Sequence, residues 1–251
     1  MTSQPVIVTT GNVNSLTEIV TKRHKNSAEE VQTALKHYAD IGKQFVLEKG
    51  VFAPSQDEQV NYAASDMKIT LKVFLSEFSP KEIQSAVSSF LAFHSVTSVS
   101  QLIVSFPYLI AEDLSDEEWL GEVLNVWAIM ESLVDEGVVH TLGVADLDVD
   151  RMKLLTDNVK KYRPSINHYS IDGCCAVASE LSDFAKQHDI QLLTHNDCRS
   201  LAFPETLKSL VSTIVGQNLD AHHDGWASRY TIWVRSRSVL AEKGFFVQFK
   251  L

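Results

Sequence analysis

Cysteine is scarce in this chain: Cys174, Cys175 and Cys198 are the only three in 251 residues, and two of them are adjacent. An odd count without spaced pairs excludes a secreted disulfide framework, and the absence of any CxxC pair removes the usual zinc ligands. Ordinary thiols of a reducing compartment are the simplest reading. Basic residues are also short, with 22 Lys and Arg against 32 Asp and Glu. The resulting formal charge of −10 argues against nucleic acid and against an anionic membrane surface as partners. The two short basic clusters, residues 22–25 and 160–163, read as solvated loops or helix ends. No apolar run approaches the roughly 20 residues that span a bilayer. Residues 1–5 lack the charged-then-apolar pattern of a secretion signal, so the expected compartment is the cytoplasm. The ten glycines are scattered, and no GxGxxG follows the first apolar run, which weakens an open dinucleotide-binding sheet.

What is present is an alternation. Apolar, β-branched runs occur at residues 6–8, 69–75, 102–106, 138–144, 166–169, 190–193, 230–234 and 245–249. Several are apolar without a break, as strands buried on both faces should be. Between them lie helical stripes. Ser79-Pro80-Lys81-Glu82 and Ser115-Asp116-Glu117-Glu118 read as N-terminal caps with a glutamate placed for a capping box. Leu120, Val123, Leu124, Trp127, Met130 and Val134 follow the second cap on one face, closed by Gly137. Trp119 and Trp127, eight apart, should both face the core, whereas Trp226 and Trp233 are freer to serve an interface. An earlier helix is expected from about residue 28 to 47, and a later stripe runs from Met152 to Tyr162. Strand and helix in turn imply βαβ units and a parallel sheet. The length suits one α/β domain over residues 1–251, and a parallel (β/α)8 barrel of the TIM type is favoured. Residues 50–66 should hold a strand but show no clear period.

Four strings resemble successive strands of the aldo-keto reductases. Lys68-Ile69-Thr70-Leu71-Lys72 is similar to the strand ending in that family's active-site lysine. Leu102 to Pro107 is similar to the strand carrying its histidine, Leu142-Gly143-Val144-Ala145-Asp146 to its Ile-Gly-Val-Ser-Asn turn, and Pro164-Ser165-Ile166-Asn167 to the strand that presents an amide to nicotinamide. Within that superfamily the likeness is greater to the glutamate–cysteine ligase modifier-subunit family. It rests on Val8-Thr9-Thr10-Gly11-Asn12, Cys174-Cys175, the run from Asp189 to Thr194-His195-Asn196-Asp197, and Val234-Arg235-Ser236-Arg237.

The resemblance implies a barrel that stops at Leu251, before the helices and tail that complete the reductases' sites. Reductase chemistry needs a tyrosine whose pKa a lysine lowers, an aspartate and an orienting histidine. Lys72 stands at the lysine position, but Ser105 stands at that of the histidine. Asp57 and Tyr62 have the family's five-residue spacing, yet Tyr62 lies only ten residues before Lys72, too close for the intervening helix. Ala145 and Asp146 replace the serine and asparagine, and His195 replaces the stacking aromatic. Lys72, Ser105, Asp146, Asn167 and His195 are thus expected to form a vestigial reductase pocket with no catalytic residue, no required cofactor and at most residual NADPH binding. Arg235 and Arg237 offer an anion site, and no metal site is expected. Membership of the modifier family implies a non-catalytic partner of the ligase catalytic subunit, with Cys174, Cys175 and Cys198 as candidates for a redox-sensitive link. The alternatives are a divergent NADPH-dependent aldo-keto reductase and a nucleotide sensor.

Overall fold

The structure is a computed structural model that describes residues 5–55, 63–170, 177–197, 205–219 and 222–250. The strands are β1 (Val6–Thr9), β2 (Phe45–Glu48), β3 (Val51–Pro54), β4 (Met67–Phe74), β5 (Val99–Ser105), β6 (Val139–Ala145), β7 (Ile166–Ser170), β8 (Gln191–His195), β9 (His223–Val234) and β10 (Val239–Lys250). The helices are α1 (Thr17–Thr21), α2 (Ser27–Asp40), α3 (Pro80–His94), α4 (Tyr108–Glu112), α5 (Asp116–Asp135), α6 (Val149–Asn158), α7 (Ser179–Gln187) and α8 (Glu205–Val215).

The α/β architecture follows the predicted alternation. Strands β4 to β8 pair in chain order and all run parallel. The last two apolar runs are longer than their periodicity suggested. They become twelve-residue strands, β9 and β10, paired antiparallel across a tight turn at Arg235–Arg237. This hairpin lies between β1 and β4, antiparallel to both, so the sheet is mixed and its order is β2-β3-β1-β10-β9-β4-β5-β6-β7-β8. Among the described residues no pairing joins β8 back to β2 to close a barrel.

Side-chain alternation then feeds two cores. Ile69, Leu71 and Val73 of β4 pack with Ile83, Val87 and Phe90 of α3 and with Trp119 and Trp127 of α5 in the larger one. Val6 and Val8 of β1 and Phe245, Val247 and Phe249 of β10 pack with Val31 and Leu35 of α2 and Val211 of α8 in the smaller one. Because Phe246 joins the first core while Phe245 and Val247 join the second, helices cover both faces of the sheet at the hairpin. Lys68, Thr70 and Lys72 alternate with the apolar residues of β4 and face away from α3.

Local signals explain most element ends. Ser115 and Glu118 form the expected capping box, and Gly137 follows α5 at a φ of 73° that suits glycine. Ser79 precedes Pro80 as expected but makes no side-chain cap. Glu82 instead accepts from the Ser76 N–H at 2.8 Å and from Lys250 Nζ at 3.0 Å, tying the start of α3 to the last strand. The helix expected to residue 47 ends at Asp40, and Phe45–Glu48 forms an edge strand paired with β3, which supplies a strand inside residues 50–66. The stripe expected to Tyr162 ends at Asn158, with the Tyr162 N–H bonded to Glu131 at 3.1 Å and its hydroxyl to Asp135 at 3.1 Å. Trp119 and Trp127 are buried as predicted. Trp226 is fully buried too, contrary to its reading as an interface candidate, because it shares a face of β9 with Tyr230 and Ile232 and joins the larger core; Trp233 remains 40% exposed.

Gly244 marks the tightest approach in the hairpin. A Cβ there would collide with the Gly11 carbonyl and the Tyr230 ring. Backbone cannot yield as a flexible side chain can, so Gly244→Ala should cost about 1–3 kcal/mol through overpacking. Urea unfolding should show a lower midpoint at unchanged slope.

Candidate functional site

The register of β4 against β9 sets Lys72 beside Arg229. Both side chains turn inward and meet Asp197, two residues past the end of β8. Lys72 Nζ donates to Asp197 Oδ2 at 2.9 Å, Arg229 Nη1 donates to Oδ1 at 2.6 Å, and the Ser27 hydroxyl at the start of α2 also donates to Oδ1. Lys72 and Asp197 are almost completely buried. One carboxylate therefore serves two cations from different strands and the first residue of a helix.

His195 extends the cluster. Its Nδ1 accepts the Asp197 backbone N–H at 3.0 Å, which places the ring proton at Nε2. Nε2 approaches Asp146 Oδ1 at 3.2 Å without the alignment of a hydrogen bond. Asp146, at a φ of 59°, accepts the Ser170 N–H at 2.8 Å, and its Oδ2 has no partner among the described residues. His168 lies on the same face of β7, its ring centroid 6.0 Å from that of His195.

The electrostatics follow from burial and pairing. Burial lifts the Asp197 carboxyl, but Arg229, Lys72 and the Ser27 hydroxyl outweigh it and hold the group well below the usual carboxylate range. Asp146 is likewise lifted by burial and brought below its ordinary value by His195, Lys72 and the Ser170 N–H. Burial lowers the Lys72 pKa, and Arg229 adds to the effect while Asp197 opposes it. His168 is pushed down to about 3, first by burial and then by Lys72 and Arg229, and stays neutral in the folded chain at ordinary pH.

Of the five residues expected in one pocket, Lys72, Asp146 and His195 come together around Asp197. Ser105 ends β5 on the same face, in register with Phe74. Asn167 alternates onto the helix-covered side, where its Nδ2 donates to the Leu147 carbonyl at 2.9 Å. Arg235 and Arg237 sit at the opposite end of β4, flanking Ser236, whose N–H donates to Asp66 at 2.8 Å. Cys174, Cys175 and Cys198, with Asp57 and Tyr62, lie outside the described residues. The residues that sequence reasoning missed are Asp197, Arg229, Ser27 and His168. Asp197 closes the most specific string, but nothing in the sequence indicated that a hairpin would bring Arg229 to it.

Known proteins bear on this arrangement. The chain matches the aldo/keto reductase family over residues 16–196. It is 31% identical over 192 residues to the glutamate–cysteine ligase regulatory subunit of Homo sapiens, covering 74% of this chain and 67% of that protein. To the aldo-keto reductase family 1 member C4 of Macaca fuscata fuscata it is 26% identical over 141 residues, covering 52% of this chain and 43% of that one. An aldo-keto reductase enzyme from a Medee basin deep-sea metagenome library superimposes with a TM-score of 0.43 at 18% identity, over 53% of this chain and 45% of that one. The chain belongs to the aldo/keto reductase family and, within it, to the relatives of the glutamate–cysteine ligase regulatory subunit.

Proposed function

We propose that the chain is a non-catalytic regulatory subunit of glutamate–cysteine ligase, binding the catalytic subunit as a heterodimer. In this reading it raises the partner's affinity for glutamate and relieves feedback inhibition by glutathione. One observation carries the non-catalytic part: Ser105, buried at the end of β5, stands at the position of the orienting histidine and offers no group that titrates near neutrality. Lys72 keeps an aspartate contact of the kind reductase chemistry also uses, but its partner Asp197 is shared with Arg229 and Ser27. The residues matched to a nicotinamide site fit that group poorly. Asn167 turns to the helix side with its amide committed to Leu147, and the Asp146 carboxylate stands where a neutral side chain serves in the reductases. The cofactor would supply hydride, and here the residues around Lys72 hold one another instead.

Regulation then rests on binding one state of the partner more tightly than another. A coupling of about 1–3 kcal/mol changes an apparent affinity roughly 5–150-fold. Co-expression with a ligase catalytic subunit should give a complex that co-elutes on gel filtration in one-to-one ratio. Separate elution at micromolar concentration would exclude the heterodimer. If any of Cys174, Cys175 and Cys198 links the subunits, a non-reducing gel of the complex should show a band that reductant removes.

A further inference from the structure

The face of β4, β5, β7, β8 and β9 that Lys68, Thr70 and Lys72 share holds a cavity of about 580 Å3 toward the end of the sheet where the parallel strands begin. It lies away from the strand ends at which Asp146 and His195 sit. Lys68 and Arg235 stand at its rim, Lys72, His168 and Arg229 lie deeper, and Trp233 forms part of a wall. No aspartate or glutamate lines it among the described residues. In a chain of formal charge −10 this is a local reversal of sign.

Two groups inside have hydrogen-bonding capacity left over among the described residues. Arg229 is part-buried and, among the described residues, spends one hydrogen bond, from Nη1 to Asp197, of the five its guanidinium can donate. His168 is 7% exposed, and its buried Nδ1 has no partner among the described residues. Buried polar atoms are normally satisfied, so donors and acceptors left open toward a cavity point to something that enters it. Arginine forks suit carboxylate and phosphate oxygens, and an indole wall suits a planar or apolar body. The volume lies within the range of small-molecule sites.

We infer that this cavity is a binding site for a small organic anion, its oxyanion seated on Arg229 and its planar or apolar part against Trp233. Lys68 and Arg235 draw the anion in, and their contribution falls with added salt. The site is independent of the ligase reading, because it is tested on the isolated chain.

Phenyl phosphate and benzoate serve as probes, distinguishing a phosphate from a carboxylate headgroup, with benzyl alcohol as the neutral control. Calorimetric titration should show saturable one-to-one binding of at least one anion and none of the alcohol. Lys68→Glu, at an exposed rim position, should weaken that binding at least tenfold while leaving the thermal unfolding temperature unchanged. Thr231→Trp, which fills the cavity, should abolish it, and Lys22→Glu elsewhere on the surface should not. Absence of binding by both anions, equal binding of the alcohol, or an affinity unmoved by Lys68→Glu would overturn the assignment.

Discussion

Asp197→Asn should cost the chain about 3–5 kcal/mol, because it leaves two cations facing a neutral amide in a buried site. For a domain of this size that corresponds to a fall in melting temperature of about 10 °C. Lys72→Met should cost much less, since Asp197 keeps Arg229 and Ser27 as partners. Combining the two substitutions should therefore cost less than their sum, the mark of a direct interaction in a double-mutant cycle. Strict additivity would show that the Lys72–Asp197 contact does not form. The pH dependence has a definite sign. The folded carboxyl titrates well below its unfolded value of about 3.9, so its contribution is complete above that pH and is lost as pH falls below it. Asp197→Asn removes this part of the acid sensitivity.

Acid should also destabilise the native chain at milder pH, through two histidines held neutral. His168 is pushed down to about 3 and His94 to about 4, in both cases chiefly by burial. Between those values and about 6.5 the unfolded chain binds a proton at each ring that the folded chain refuses. Stability is then full above about pH 6.5 and drains on acidification, by about 1.4 kcal/mol per pH unit for each ring. The His94 ring packs among Phe90, Phe93 and Tyr230, so its substitution would disturb the core. His168→Phe is the cleaner variant, because Nδ1 gives up no partner among the described residues. Urea unfolding at pH 5, 6 and 7 should show this variant losing about half the native slope. A slope identical to that of the native chain would mean that His168 protonates as readily folded as unfolded.

The fold was legible where periodicity was strong. The stripe after Ser115, both buried tryptophans of that region and the parallel strands from β4 to β8 all follow from spacing and capping. The hairpin was not, because apolar runs at residues 230–234 and 245–249 look the same whether the chain returns parallel through a helix or antiparallel through a turn. Edge strand β2 is indistinct from the end of the preceding helix in the sequence because Phe45–Glu48 carries no period of its own. The site was legible only as motif positions. Lys72, Asp146 and His195 could be placed from their strings, but strand alternation sends Asn167 to the other face, and Arg229 reaches Asp197 only through long-range pairing of β9 with β4. A distant charge partner leaves no local mark on a sequence.

In the proposed reading, the polar interior of the reductase framework holds itself together and the chain acts by binding a partner. The glutamate dependence of a ligase catalytic subunit, measured with and without this chain at saturating ATP and cysteine, tests that most directly. A several-fold lower glutamate concentration at half-maximal rate is expected when the chain is added. A glutamate curve that does not move, under conditions where the two subunits co-elute, would contradict it.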